Sequence, residues 1–131
     1  MKPRNGDVIN IEKDLKFEIL WPKEEQIQEN ILNNNSIVAK LKYKDFSMLF
    51  TGDIEEIAEK QILNEYKNDL DELNSSFLKV GHHGSKTSST QEFLDAVKPK
   101  IALIGVGENN KFGHPNDKVL ERLEGLRYKD I

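Results

Sequence analysis

Residues 79–87 read Lys-Val-Gly-His-His-Gly-Ser-Lys-Thr and hold two of the three histidines in a chain of 131 residues. The paired imidazoles follow the apolar Phe77, Leu78 and Val80 and are bracketed by Gly81 and Gly84. Such a pattern brings coordinating nitrogens to the end of a buried strand. The third histidine, His114, stands in Phe-Gly-His-Pro at 112–115, where the proline restricts the backbone before it. Asp53 closes the strand-like run Met-Leu-Phe-Thr-Gly-Asp at 48–53. One carboxylate and three imidazoles, each at the end of an element, suggest a metal site, and the set looks like half of one.

Each residue also has a plainer reading. Asp53 taken alone reads first as the N-cap of the following helix, accepting backbone N–H bonds. Either histidine of the pair, taken alone, is as readily a hydrogen-bonded core residue, and His114 reads also as a surface loop residue. On an extended backbone two consecutive side chains point to opposite sides. One imidazole of the pair would then bind metal while the other meets substrate or a second ion. Gly84 and Ser85 offer N–H groups and a hydroxyl to an anionic oxygen, and Lys86 adds charge. Residues 85–90 otherwise read as a polar loop capping the next helix, the preferred reading for Ser88 and Ser89. Asn109, Asn110 and Lys111 read as turn residues, and Trp21 and the phenylalanines as ordinary core.

The elements that must position these groups follow from periodicity. Residues 7–12 and 15–21 alternate as two strands, and the polar stretch 23–35 ends in Asn33-Asn34-Asn35, a loop signal. Residues 36–51 read as a hairpin, with Ile37, Ala39, Leu41 and Tyr43 on one face. A helix is expected over 54–66, with Glu55 and Glu56 in its first turn where the helix dipole favours acids. A charged connection covers 67–76, a buried strand 77–80, a helix 91–97, a strand 100–106 and a last helix 117–123. Strands first and strand–helix alternation later predict an α/β (α+β) layered arrangement, a mixed sheet with flanking helices.

Composition sets the outer bounds. The length suits one domain, and 37% apolar with 32% charged residues is that of a soluble globular protein. A net charge of -4 argues against a dedicated nucleic-acid surface, which needs concentrated Lys and Arg. With no cysteine, metal ligands must be His, carboxylate, carbonyl or water. No apolar run reaches the ~20 residues of a membrane span, and the N-terminus does not read as a signal peptide. The chain is expected to be soluble, with its compartment not legible.

Asn34-Asn35-Ser36-Ile37-Val38, Phe-Thr-Gly-Asp at 50–53, Leu-Lys-Val-Gly-His-His-Gly-Ser-Lys-Thr-Ser at 78–88 and Gly-His-Pro at 113–115 occur in one order and spacing. Together they resemble the metallo-β-lactamase-fold hydrolases, in the branch containing the domain of ComEC-type competence channel proteins and free-standing relatives. The resemblance runs from about Gly6 to Leu123. It implies half of an αββα sandwich, with a divalent metal, zinc or else manganese or iron, at one sheet edge. Hydrolysis of phosphodiesters or other esters would follow, on a phosphate-ester or nucleic-acid-type substrate. It assigns Asp53 and His83 to the metal, with His82 close by as a second ligand or substrate contact; catalysis falls to His82 and His114, and Ser85 and Lys86 stay the substrate contacts read above. His114 also competes for the last ligand position. The family's His-x-His-x-Asp-His signature is absent. The expectation is a single partial domain over residues 1–131, the C-terminal half, with little activity alone. The alternative is a non-enzymatic half-domain that binds a partner or self-associates through an exposed sheet.

Overall fold

The computed structural model describes residues 2–106 and 113–129. Six strands form one mixed sheet in the sequential order β1 (Val8–Glu12), β2 (Leu15–Trp21), β3 (Val38–Tyr43), β4 (Phe46–Phe50), β5 (Phe77–Lys79) and β6 (Ile101–Leu103). Neighbours from β1 to β4 are antiparallel, while β4–β5 and β5–β6 are parallel. Two-residue turns make the hairpins, with Asp14 and Lys44 at positive φ, as tight turns between twisted strands require. The parallel steps need longer crossovers. These run through the helices α2 (Glu56–Glu65) and α3 (Gln91–Val97), and α4 (Asp117–Lys129) packs against α3. The α/β arrangement of the sequence reading is the one observed.

The differences in detail have local causes. The helix expected from 54 begins at Glu56, because Gly52 at φ +56 and Asp53 are used in a turn first. The last helix extends beyond 123 to Lys129. A short helix, α1 (Ile31–Asn34), and a 3-10 turn, Leu70–Glu72, lie in stretches read as loops. Asn109, Asn110, Lys111 and Phe112 lie outside the described residues, as does Met1.

One sheet face carries the core. Leu49 of β4, Leu78 of β5 and Ala102 of β6 lie side by side in register. They pack with Ile54, Ala58 and Ile62 from α2 and its approach, Phe93, Leu94 and Val97 from α3, and Val119 and Leu126 from α4. Trp21 and Val38 close one end of this core, the indole N–H donating to the Asn34 carbonyl at 2.9 Å. On the same face, Lys40 is buried beside Leu49. Its ammonium donates to the carbonyls of Asp71, Glu72 and Asn74, at 2.6 Å for the last. Burial pushes its pKa down from the usual lysine range.

Trp21 is core as read, but the opposite face corrects the reading of most of the phenylalanines as core. Phe17, Leu41, Met48, Phe77 and Ile101 form a continuous apolar row across five strands, and none belongs to the core cluster. Phe46 and Phe50 stand in adjoining rows, their rings tilted against those of Phe77 and Phe17 respectively. Only Phe93 among the described phenylalanines is a core residue. The alternation at 37–43 likewise marks the uncovered face, whereas Val38 and Lys40 face the helices. Ile101 and Leu103 remain 48% and 46% exposed.

This asymmetry predicts unequal costs of truncation. Leu78→Ala should lose about 2–5 kcal/mol as a buried methyl-group deletion leaving a cavity. Ile101→Ala should lose about 1 kcal/mol or less, since half its surface is already in water. Urea midpoints at constant m measure both.

Candidate active site

Two turns at the C-terminal ends of the parallel strands β4 and β5 build the site. The Thr51 hydroxyl donates to the Lys79 carbonyl at 2.7 Å, and the His82 N–H donates to the Gly52 carbonyl at 2.9 Å. The Thr-Gly-Asp turn and the His-His turn are thereby sewn together. Gly52 cannot be another residue at low cost. Its φ is +56, and a Cβ there would sit 2.7 Å from Ser36 Cβ.

Asp53 is not a helix cap. Its backbone N–H donates to Ser36 Oγ at 3.2 Å, and the N-cap position of α2 belongs to Glu55. The carboxylate, 48% exposed, faces His83 with Oδ1 3.8 Å from Nε2.

The paired histidines are not extended either. Both occupy the left-handed region, His82 at φ 50, ψ 39 and His83 at φ 53, ψ 29, inside the turn Gly81–Gly84. The two rings nonetheless part company. His83 Nδ1 meets the carbonyl of Gly105. A carbonyl only accepts, so Nδ1 carries the proton and Nε2 holds a lone pair in the neutral ring. That lone pair confronts the Asp53 carboxylate across 3.8 Å, too long for a hydrogen bond. It is close enough for one cation to reach both atoms. A histidine whose second nitrogen is tied to a backbone carbonyl is the usual arrangement of a metal ligand. Among the described residues, no three His, Asp or Glu side chains gather so as to hold a metal ion. Asp53 and His83 fit a cation as a pair, short of a full set.

His82 turns toward the start of α2. Its Nδ1 lies 3.3 Å from Thr87 Oγ1 and 3.7 Å from Glu55 Oε2, and its ring meets His114 edge-on at 6.0 Å between centroids. His114 is brought there by Pro115, which packs on Gly84, and by the Asn116 N–H donating to the Gly84 carbonyl at 2.8 Å. All three histidines therefore lie in one region. Of the two residues read as substrate contacts, Lys86 is exposed, whereas Ser85 is buried with its hydroxyl partnered by Thr87 at 3.0 Å.

The segment after the histidines is clamped from beneath. Glu59, 1% exposed, accepts from the N–H groups of Ser89 and Thr90, while Arg122 donates to the Ser89 carbonyl at 2.9 Å. Thr90, not Ser88 or Ser89, caps α3, its hydroxyl accepting from Phe93 N–H. Ser88 is internal, bonded to the carbonyls of Gly81 and Ser85. Sequence reading missed Glu55, Glu59 and Thr87. Glu55 stood only as an acid in a first turn, and the role of Glu59 depends on contacts 30 residues away.

This chain is similar to a segment of several much longer proteins, a competence protein among them. It is 39% identical over 121 residues to ComE operon protein 3 of Bacillus subtilis, which covers 92% of the chain and 15% of that protein. Identity is 35% over 107 residues with competence protein ComA of Neisseria gonorrhoeae, 82% of the chain and 15% of the relative. With recombination protein 2 of Haemophilus influenzae it is 37% over 115 residues, 88% of the chain and 13% of the relative. The chain thus spans about one seventh of the curated relatives it matches. No family model matches it. Among the described residues no helix is long and apolar enough to cross a membrane.

The clamp yields a pH prediction. Burial raises the Glu59 carboxyl above its ordinary 4.5, against the pull of the two N–H donors. The folded chain then keeps this proton to higher pH than the unfolded chain. Its contribution to stability falls as pH rises from 4.5 through the folded value. In Glu59→Gln this component of the slope should vanish, as urea unfolding across that window would show.

Proposed function

We infer that the chain supplies one side of a metal-dependent hydrolytic site of the metallo-β-lactamase type, working in a DNA-uptake protein on phosphodiester or other ester bonds. The observation that carries this reading is the His83 lone pair facing the Asp53 carboxylate across 3.8 Å, with Nδ1 already tied to a backbone carbonyl. The names of the relatives, a competence protein and a recombination protein among them, favour uptake of nucleic acid as the setting.

In this reading Asp53 and His83 hold a divalent ion, zinc first and manganese or iron as alternatives. The ion would lower the pKa of bound water and polarise the scissile group. His82 and His114 flank it on the substrate side, and Lys86 offers its ammonium to a phosphate oxygen. Ser85 contributes through Thr87 rather than by direct contact, since its hydroxyl is spent there.

Calorimetric titration with zinc and with manganese tests the reading. Binding should be weaker than about 1 μM, because two protein ligands fall short of the usual three. It should be lost in Asp53→Ala and in His83→Ala, and turnover of bis(p-nitrophenyl) phosphate should be slight. Affinity unchanged in both variants would sink the assignment, and so would brisk turnover that survives Asp53→Ala.

The uncovered apolar face favours a second, compatible role, in which this sheet docks on another protein surface. Light scattering after size exclusion should then show association that grows with concentration and is reduced by Phe77→Lys. A monomer at all concentrations would count against self-association.

A further inference from the structure

Glu55 is the N-cap residue of α2, but its carboxylate makes no capping bond. It is fixed elsewhere. Asn30 donates its side-chain amide to Oε1, and the Glu55 backbone N–H donates to Asn34 Oδ1 at 3.0 Å. Asn34 is itself buried, donating to the Glu29 carbonyl and accepting at its own carbonyl from Trp21. The result is a carboxylate held at a set position, only 17% exposed, with Oε2 3.7 Å from His82 Nδ1.

The same ring nitrogen lies 3.3 Å from the Thr87 hydroxyl, which can donate or accept. Thr87 alone therefore leaves the tautomer of His82 open. The carboxylate does not. A lone pair on Nδ1 would face the negative charge of Glu55, whereas an N–H there is attracted to it. At 3.7 Å this is a field effect and not a direct hydrogen bond.

Resting on the hydrolytic reading above, we propose that Glu55 is a positioning residue of the site: it fixes His82 as the Nδ1–H tautomer and leaves Nε2 as an acceptor. The consequence concerns what His82 can meet. In this tautomer Nε2 accepts a hydrogen bond from water or a hydroxyl group. It does not donate to a phosphate oxygen, a task left to Lys86 and to backbone N–H groups. His82 and His83 then share one logic. Each ring is locked through Nδ1 by a protein oxygen and offers its Nε2 lone pair, His83 through Gly105 and His82 through Glu55 and Thr87.

The experiment is nitrogen-15 NMR of the imidazoles in the metal-free chain, with chelator present, at about pH 8, above the ordinary histidine pKa of about 6.5. His82→Gln assigns the signals. The wild type should show the Nδ1–H pattern at His82. Glu55→Ala should shift it toward the Nε2–H form that an unconstrained histidine side chain favours, and Glu55→Gln, which keeps the size but removes the charge, should shift it the same way. Thr87→Val should keep Nδ1–H, because the carboxylate remains. An Nε2–H pattern in the wild type overturns the proposal. So does a pattern unmoved by Glu55→Ala in a folded protein, or one lost in Thr87→Val. If Glu55→Ala fails to fold, Thr87→Val still decides. Failure of the hydrolytic reading would appear separately, as metal affinity indifferent to Asp53 and His83 with the His82 tautomer intact.

Discussion

The parallel pairing of β4 with β5 is the constraint on which the site depends. Asp53 and His83 are 30 residues apart in sequence, and neither element places them alone. Ladder bonds from Met48 to Phe50 against Phe77 to Lys79 bring the strand ends level, and two further bonds extend the pairing past them. The Thr51 hydroxyl and the His82 N–H close the gap between the two turns. Parallel strands put their C-terminal ends on the same edge, so the loops that follow must share one opening. Helices α2 and α3 provide the crossovers that make this direction possible. Ligand sites at such carboxyl edges are common in layered α/β proteins for this reason.

The two faces of the sheet meet different demands. The helix side is filled to the point that the buried Lys40 spends its ammonium on three backbone carbonyls rather than on water. That arrangement ties β3 to the 3-10 turn before β5 and so steadies the approach to the site. The other side presents a row of aromatic and aliphatic groups with no helix among the described residues against it. Apolar surface of this extent raises the free energy of the exposed state, and burying it would favour any matching surface.

Much of the architecture was legible because the signals were local. Alternation located the strands, helical spacing located α2 and α3, and the glycines flanking the histidines marked a turn. What escaped was decided by contacts distant in sequence. Periodicity at 37–43 finds an apolar face but not which face is covered, so the phenylalanines were read as core. Asp53 was read as a cap because caps are common, yet the turn at Gly52 delays α2 and hands that position to Glu55. The pair at 82–83 was weighed as extended, since nothing in two histidines announces left-handed backbone. The asparagines at 30 and 34 read as loop filler and in fact wire the indole of Trp21 to the carboxylate beside His82.

The two consecutive left-handed histidines have an energetic meaning of their own. Each holds a backbone geometry that costs a residue with a β-carbon roughly 1 kcal/mol or more. Glycine would adopt the same turn without that cost. The backbone at 82 and 83 is thus kept in place by the rest of the fold, through Gly52, Gly105 and the clamp of Glu59 and Arg122, against its own preference. A free peptide of residues 79–87 would relax out of this shape and scatter the imidazoles. The arrangement of the rings is accordingly a property of the assembled sheet edge, and a modest loosening of that edge would erase it while most of the core stayed folded.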